Sequence, residues 1–266
     1  MLCPKFHNRL SDIEISALLS GTELAEQNKS KMASSIVVSV PLEPGKYKAL
    51  PFSHFISLPL ALPPSLVDKL INFQNSILGM NDATELGIDA SIFTKPQTLH
   101  LTVLMLKLWD EERLDAAVRI FKGIEAEVMD ALGGQSVSIK LKGLACFNDS
   151  FDKVHILYAP VEVVGGDGRL LRACNIITDA FINSGLVLVE NTRHTLKLHA
   201  TVMNTIYRNR AYPFDAGRIV EKYGSEAWGE CSISEIHLSE RFVYDENGYY
   251  HRCASFPLNP RNMQVD

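Results

Sequence analysis

The pattern that most constrains this 266-residue chain is short and occurs twice: an apolar, strand-like run that opens on His-x-Thr. His100-Leu101-Thr102 begins the first and His199-Ala200-Thr201 the second, 199 − 100 = 99 residues later. Each histidine follows a leucine, and a lysine stands within five positions before it (Lys95, Lys197). A bare His-x-Thr is a weak signal. Two in matched context, one in each half, point to a duplicated unit. Strand periodicity then predicts the faces: Leu99, Leu101, Val103 and Met105 point one way, and His100, Thr102, Leu104 and Leu106 the other. In the second run Leu198, Ala200 and Val202 pack inward, leaving His199, Thr201, Met203 and Thr205 on the opposite face.

That spacing has a chemical use. Imidazole titrates near neutral pH, so two imidazoles facing one phosphate can act as general base and general acid without a metal. A threonine two residues on points the same way and can donate to a phosphate oxygen as charge develops there. The plainer alternative is a pair of histidines kept for packing and hydrogen bonding.

Composition narrows the field. With 46% hydrophobic residues the chain can bury a substantial core. Charge or proline interrupts its apolar stretches too early for a membrane span, and the start, Met1-Leu2-Cys3-Pro4-Lys5, lacks the apolar core of a secretory signal. The five cysteines are scattered with no Cys-x-x-Cys pair, and read as reduced intracellular thiols. A net charge of −5 argues against coating nucleic acid non-specifically. Locally, Arg193, His194, Lys197, Arg208 and Arg210 concentrate positive charge near the second motif, as a solvated stretch or a substrate rim. No Gly-x-Ser-x-Gly elbow, Walker loop or His-Glu-x-x-His helix occurs.

The elements alternate. A short helix is predicted over 12–27, a strand over 53–60, and a helix opened by Pro63-Pro64 that buries Leu66, Leu70, Phe73 and Ile77. After the first motif strand, Asp110 caps one helix running to Leu132 and stopped by Gly133-Gly134. Strands follow over 137–147 and 154–163, then a helix over 169–183 ended by Gly185, and a short strand over 186–189 before the second motif. A helix over 214–223, a strand over 231–241, a turn and a strand over 249–256 complete the order. On the strand before the first motif, alternation sends Ile56 and Leu58 to the core and Phe55 and Ser57 toward the cleft, so Phe55 is a base-stacking candidate, with core packing as its alternative. The predicted class is α+β: two lobes, each with an antiparallel sheet facing a central cleft, helices outside and one His from each lobe.

With these motifs in that order, the chain resembles the two-histidine (2H), LigT-like phosphoesterase superfamily over about residues 50 to 258. Ala90-Ser91-Ile92-Phe93, Leu99 to Thr102, Lys197 to Thr205, Ile236 to Phe242 and Asn247 to His251 are similar to the branch represented in the activating signal cointegrator complex. The resemblance implies a domain over 51–258 between an N-terminal extension (1–50) and a C-terminal tail (259–266). It implies a cofactor-free and metal-free reaction at an RNA phosphodiester or a 2′,3′-cyclic phosphate, with His100, His199, Thr102 and Thr201 as the catalytic set. Phe55, Ser57, Lys197, Tyr207 and Arg208 are the substrate-binding candidates. It also implies a nuclear protein whose partners are RNA and the subunits of that transcription-coactivator and alkylation-repair complex, with no membrane. The rival reading is a nucleotide-binding scaffold subunit that does no chemistry. Members of that branch carry an RNA-binding KH domain ahead of the phosphoesterase domain, and residues 1–50 are too short for one. Gly165-Gly166-Asp167-Gly168 reads as a plain turn.

Overall fold

The computed structural model describes residues 49–147, 150–166, 168–187, 196–208 and 210–258. The helix predicted over 12–27, Arg193 and His194 of the basic stretch, and the tail from 259 lie outside the described residues.

A β-α-β unit occurs twice. In the first, strand β1 (His54–Ala61) leads through helix α1 (Pro64–Leu78) to the motif strand β2 (His100–Leu106). Helices α2 (Glu111–Gly123) and α3 (Glu125–Ala131) and strands β3 (Val137–Lys142) and β4 (Ala145–Cys146) follow. The second unit is β5 (Ile156–Val163), α4 (Arg169–Asn183) and the motif strand β6 (His199–Asn204). Helix α5 (Gly217–Tyr223) and strands β7 (Ala227–Ile233), β8 (Glu235–Tyr244) and β9 (Tyr250–Pro257) close the chain.

All the pairings are antiparallel, and they relate the two units by an approximate two-fold. β1 lies between β2 and β8 and also meets β7, whereas β5 lies between β6 and β4 and also meets β3. The halves join twice, through β3–β7 and through β2–β6. Antiparallel sheets therefore meet in one hydrogen-bonded network, with both motif strands side by side, and the expected α+β class holds.

Helix α1 starts on Pro64, where a missing N–H costs nothing, and buries Leu66, Leu70, Phe73 and Ile77 as its periodicity predicts. Gly229 of β7 faces Leu66 of this helix at φ 141°, a backbone conformation that glycine adopts most readily. Asp110 accepts from Arg113 N–H at 2.9 Å and starts α2. The single helix predicted to Leu132 is two, because the chain turns at Ile124 after Gly123, although Gly133 and Gly134 end it as foreseen with φ of 66° and 61°. The strand predicted over 137–147 breaks at Gly143 (φ 73°), and that predicted over 231–241 breaks at Ser234 between β7 and β8. Residues 186 and 187, predicted to open a strand, form a bend after Gly185. The Gly-rich turn delivers Gly168, at φ 69°, to the N-terminus of α4. Among the described residues, no helix is long and apolar enough to cross a membrane.

Candidate active site

Each motif strand carries the same irregularity at the same place. Ser57 pairs with Thr102 and Ile56 with Leu104, so Val103 has no partner on β1. Tyr158 pairs with Thr201 and Leu157 with Met203, so Val202 has none on β5. These β-bulges, 99 residues apart like the histidines, reverse the side-chain phase after each threonine. Strict alternation therefore fails beyond the motif. Leu104, Leu106, Met203 and Thr205 are buried rather than in the cleft, and Met105 and Asn204 take their places in its wall. The carbonyl of Val202, freed from the ladder, accepts from Thr94 N–H at 2.9 Å and ties in the segment before β2.

The strands meet at Leu101 and Ala200, both fully buried. Antiparallel register extended by one residue either way sets His100 opposite Thr201 and Thr102 opposite His199. Directly opposed side chains have Cβ atoms about 5 Å apart, and the two histidines, as diagonal neighbours, are on the order of 7 Å apart at Cβ. The four motif side chains thus form one patch on a single face.

The same backbone device orients both rings. His100 Nδ1 lies 2.8 Å from the Thr98 carbonyl, and His199 Nδ1 lies 2.8 Å from the Lys197 carbonyl. A carbonyl only accepts, so both Nδ1 atoms carry hydrogen and, in the neutral rings, both Nε2 atoms are acceptors. Thr98 is itself set by a 3-10 turn over Pro96–Thr98, and its hydroxyl donates to the Lys95 carbonyl at 2.9 Å. With Nδ1 protonated, the Thr102 hydroxyl donates to His100 Nε2 at 3.2 Å.

The rings differ in their surroundings. His100 stands on Phe55 (centroids 5.0 Å apart) with Tyr250 edge-on at 5.5 Å. Burial holds its pKa down to about 4, against the Thr98 hydrogen bond that favours the cation; charge on His199 lowers it further. His199 lies between Phe147 and Tyr158, each 5.0 Å away. Burial also lowers its pKa, opposed by the Lys197 carbonyl and reinforced by the Lys197 charge.

A cavity of about 100 Å³ opens beside His100, walled by Thr102, Thr201, Asn204, Arg241 and Tyr250 among others. His199 stands outside this wall, toward Phe147. Arg241 brings a cation to it, with Nη1 donating to the Phe52 carbonyl at 3.3 Å.

The substrate-binding candidates scatter. Phe55 lines the cavity but is only 3% exposed, pressed between His100 and Tyr250, so it backs the imidazole instead of offering a face to a base. Ser57 is fully buried and shares a 3.1 Å hydrogen bond with the Tyr249 hydroxyl. Lys197 is exposed, its ammonium 5.2 Å from the Tyr158 ring centre. Tyr207 does line the cavity. Arg208 does not, and instead pairs with Asp89 at 3.2 Å and donates to the Gly87 carbonyl at 3.0 Å. Arg241, Asn204 and Tyr250 escaped the sequence reading because a bulge or a distant strand delivers each of them. Among the described residues, no group of His, Cys, Asp and Glu is arranged to hold a metal.

A family model described as the AKAP7 2′5′ RNA ligase-like domain matches residues 52–258. The chain belongs to that family. The family spans both motif strands and the Arg241 strand, so the whole site falls inside it. Activating signal cointegrator 1 complex subunit 1 of Mus musculus is 30% identical over 225 residues, which is 77% of this chain. This chain spans 62% of that relative's length. An uncharacterized protein of Schizosaccharomyces pombe is 26% identical over 62% of this chain and 80% of its own length. Among solved structures, E. coli LigT complexed with NADP+ aligns over 79% of this chain and 98% of its own, at 14% identity and a TM-score of 0.45.

Proposed function

We propose that this protein is a metal-independent phosphodiesterase acting on RNA or on 2′,3′-cyclic phosphates through its paired His-x-Thr motifs. The observation that carries the reading is the shared tethering of the rings, each donating from Nδ1 to the carbonyl two residues earlier and so keeping Nε2 as an acceptor in the neutral ring. A pair of structural histidines has no need of that match.

The environments divide the work. His100, held neutral down to about pH 4, is the general base and takes the proton from the attacking hydroxyl. His199, lowered less, is the general acid and protonates the leaving oxygen. Thr102, Thr201 and the Arg241 guanidinium hold the non-bridging oxygens as negative charge builds. Its likeness to the mouse subunit supports reading it as a nuclear protein that works with the protein partners of such a complex.

The test is incubation of short RNAs and 2′,3′-cyclic nucleotides with the protein in EDTA, with product ends identified by mass spectrometry. Turnover lost in both His100→Ala and His199→Ala, with the double variant no worse than either single one, is the expected outcome. Activity that vanishes in EDTA and returns with a divalent metal sinks the mechanism. Tight nucleotide binding without turnover gives the scaffold reading instead.

A further inference from the structure

The two motif histidines are walled differently, although the strands beside them are built alike. Beside its bulge, β5 sets Tyr158 opposite Thr201, and at the matching register β1 sets Ser57 opposite Thr102. Residues paired across a ladder share one face of the sheet, so both point to the side that carries the motifs. Tyr158 fills its place with a ring. It is fully buried, its centroid lies 5.0 Å from that of His199, and its hydroxyl donates to the Cys146 carbonyl at 3.4 Å. Ser57 has no ring to offer, yet its hydroxyl meets the Tyr249 hydroxyl at 3.1 Å.

Tyr249 comes from the turn that joins β8 to β9. Gly248, at φ 80°, lets the chain reverse. The Asn247 side chain accepts from Tyr249 N–H at 2.8 Å, and the Tyr249 carbonyl accepts from Asp245 N–H at 2.8 Å. Held there, the ring meets three others edge to face: His100 at 6.5 Å, Tyr250 at 5.5 Å and His237 at 5.5 Å between centroids, with interplanar angles of 84° to 88°. These separations fall within the range of aromatic pairs, about 4.5 to 7 Å. His237 is itself pinned, since its Nε2 donates to the Glu235 carboxylate at 2.6 Å. Burial pushes the Tyr249 phenol well above its usual pKa, so the ring brings no charge to the imidazole. Tyr249 thus covers a third flank of His100, beside those covered by Phe55 and Tyr250.

We propose that Tyr249 is a positioning residue for His100: anchored on Ser57, it supplies to the first half the aromatic wall that Tyr158 supplies to the second, and it keeps water from one flank of the imidazole. Tyr249 bears on turnover only through the proposed function, in which His100 works as a neutral base.

The titratable and charged groups around His100 are His199 on β6, Arg241 on β8, Tyr207, and Tyr249 and Tyr250 at the start of β9, with His237 and its partner Glu235 behind Tyr249. Among the described residues, no Asp or Glu lines the cavity beside His100. Taking away the Tyr249 ring lets water reach the imidazole, and hydration favours its cation.

The test titrates His100 by imidazole nitrogen NMR in the full chain, as wild type and as Tyr249→Ala, Tyr249→Leu and Tyr249→Phe, and follows kcat/KM for a 2′,3′-cyclic nucleotide against pH on the same samples. The His100 midpoint is expected to rise from about 4 toward the unperturbed value of about 6.5 in Tyr249→Ala, to rise by less in Tyr249→Leu, and to stay at the wild-type value in Tyr249→Phe, which keeps the ring. His199, walled by Tyr158, moves far less. Leucine refills part of the gap, so it carries the test if the alanine variant fails to fold. A His100 midpoint unchanged in the smaller variants, or displaced as far in Tyr249→Phe as in Tyr249→Leu, overturns the assignment. Because a general base must be deprotonated to act, the acidic limb of kcat/KM moves to higher pH together with the His100 midpoint. A midpoint that moves while the limb stays put keeps Tyr249 as the wall of His100 and removes His100 as the base, so the wall and the catalytic reading fail separately.

Discussion

Histidine 100 shows how one side chain is tuned by its immediate surroundings. Its ring is fixed at three points: the Thr98 carbonyl on Nδ1, the Thr102 hydroxyl on Nε2 and the Phe55 ring beneath. Dry surroundings hold it neutral, whereas His199 keeps more of its affinity for a proton. A base that must be neutral and an acid that must be charged give a bell-shaped kcat/KM against pH, and both limbs are expected below the unperturbed imidazole value of about 6.5. The optimum is therefore expected on the acidic side of neutral, between about 4 and 6.5. Lys197→Met removes a charge that lowers the His199 pKa, so the upper limb is expected to move to higher pH; a profile that does not move contradicts the assignment of His199 as the acid. The threonines provide a second check. Thr102→Val and Thr201→Val keep the branched shape and delete a hydroxyl facing a charged oxygen, worth roughly 1.5 to 3 kcal/mol, or about 10- to 150-fold in phosphate affinity or rate. Melting temperatures close to wild type are expected alongside that loss. Unchanged affinity and rate in both variants would show that these hydroxyls do not meet phosphate.

The elements were legible where periodicity and punctuation agreed. Helices α1 and α4, the Asp110 cap and the Gly133-Gly134 stop follow from apolar spacing, a starting proline or acid and glycines at positive φ. What periodicity misses is a residue that breaks the period. Nothing in Val103 or Val202 announces a bulge, yet each bulge decides that Met105 and Asn204, not Leu104 and Met203, enter the cleft. The His-x-Thr pairs were readable because they precede the bulge, whereas Arg241 and Phe242 lie inside an irregular stretch of β8 that only the pairing with β9 reveals. Gly143 offers a test at this scale. It breaks the strand run between β3 and β4 at φ 73°, and a Cβ there would stand 2.7 Å from the Gly224 carbonyl oxygen, a backbone atom that cannot swing aside. Its own carbonyl accepts from the buried Trp228 indole at 2.9 Å. Gly143→Ala is therefore expected to lower stability by about 1 to 3 kcal/mol, read as a reduced denaturation midpoint. A midpoint equal to wild type would mean that the turn relaxes freely.

At the level of the whole molecule, burial lowers the pKa of His54, His100, His199 and His237 together. The unfolded chain takes up these protons first, near pH 6.5, so the stability held in the neutral rings is complete above that value and is lost as pH falls toward the folded values, about 4 for His100. Urea midpoints are expected to drop between pH 7 and pH 5, by less in a His100→Gln variant; a flat or rising midpoint would mean the rings are not desolvated as described. The two-fold arrangement has a separate consequence. Leu101 and Ala200 hold the halves together at β2–β6, and register across that seam sets each histidine against the other half's threonine. Under the proposed chemistry neither half contains a working set, so the site behaves as a logical AND gate. Turnover then reports that both halves are present and docked in register, and a larger side chain at Ala200, wholly buried on the strand face opposite His199 and Thr201, would silence the enzyme by prising the gate open by a fraction of a strand spacing.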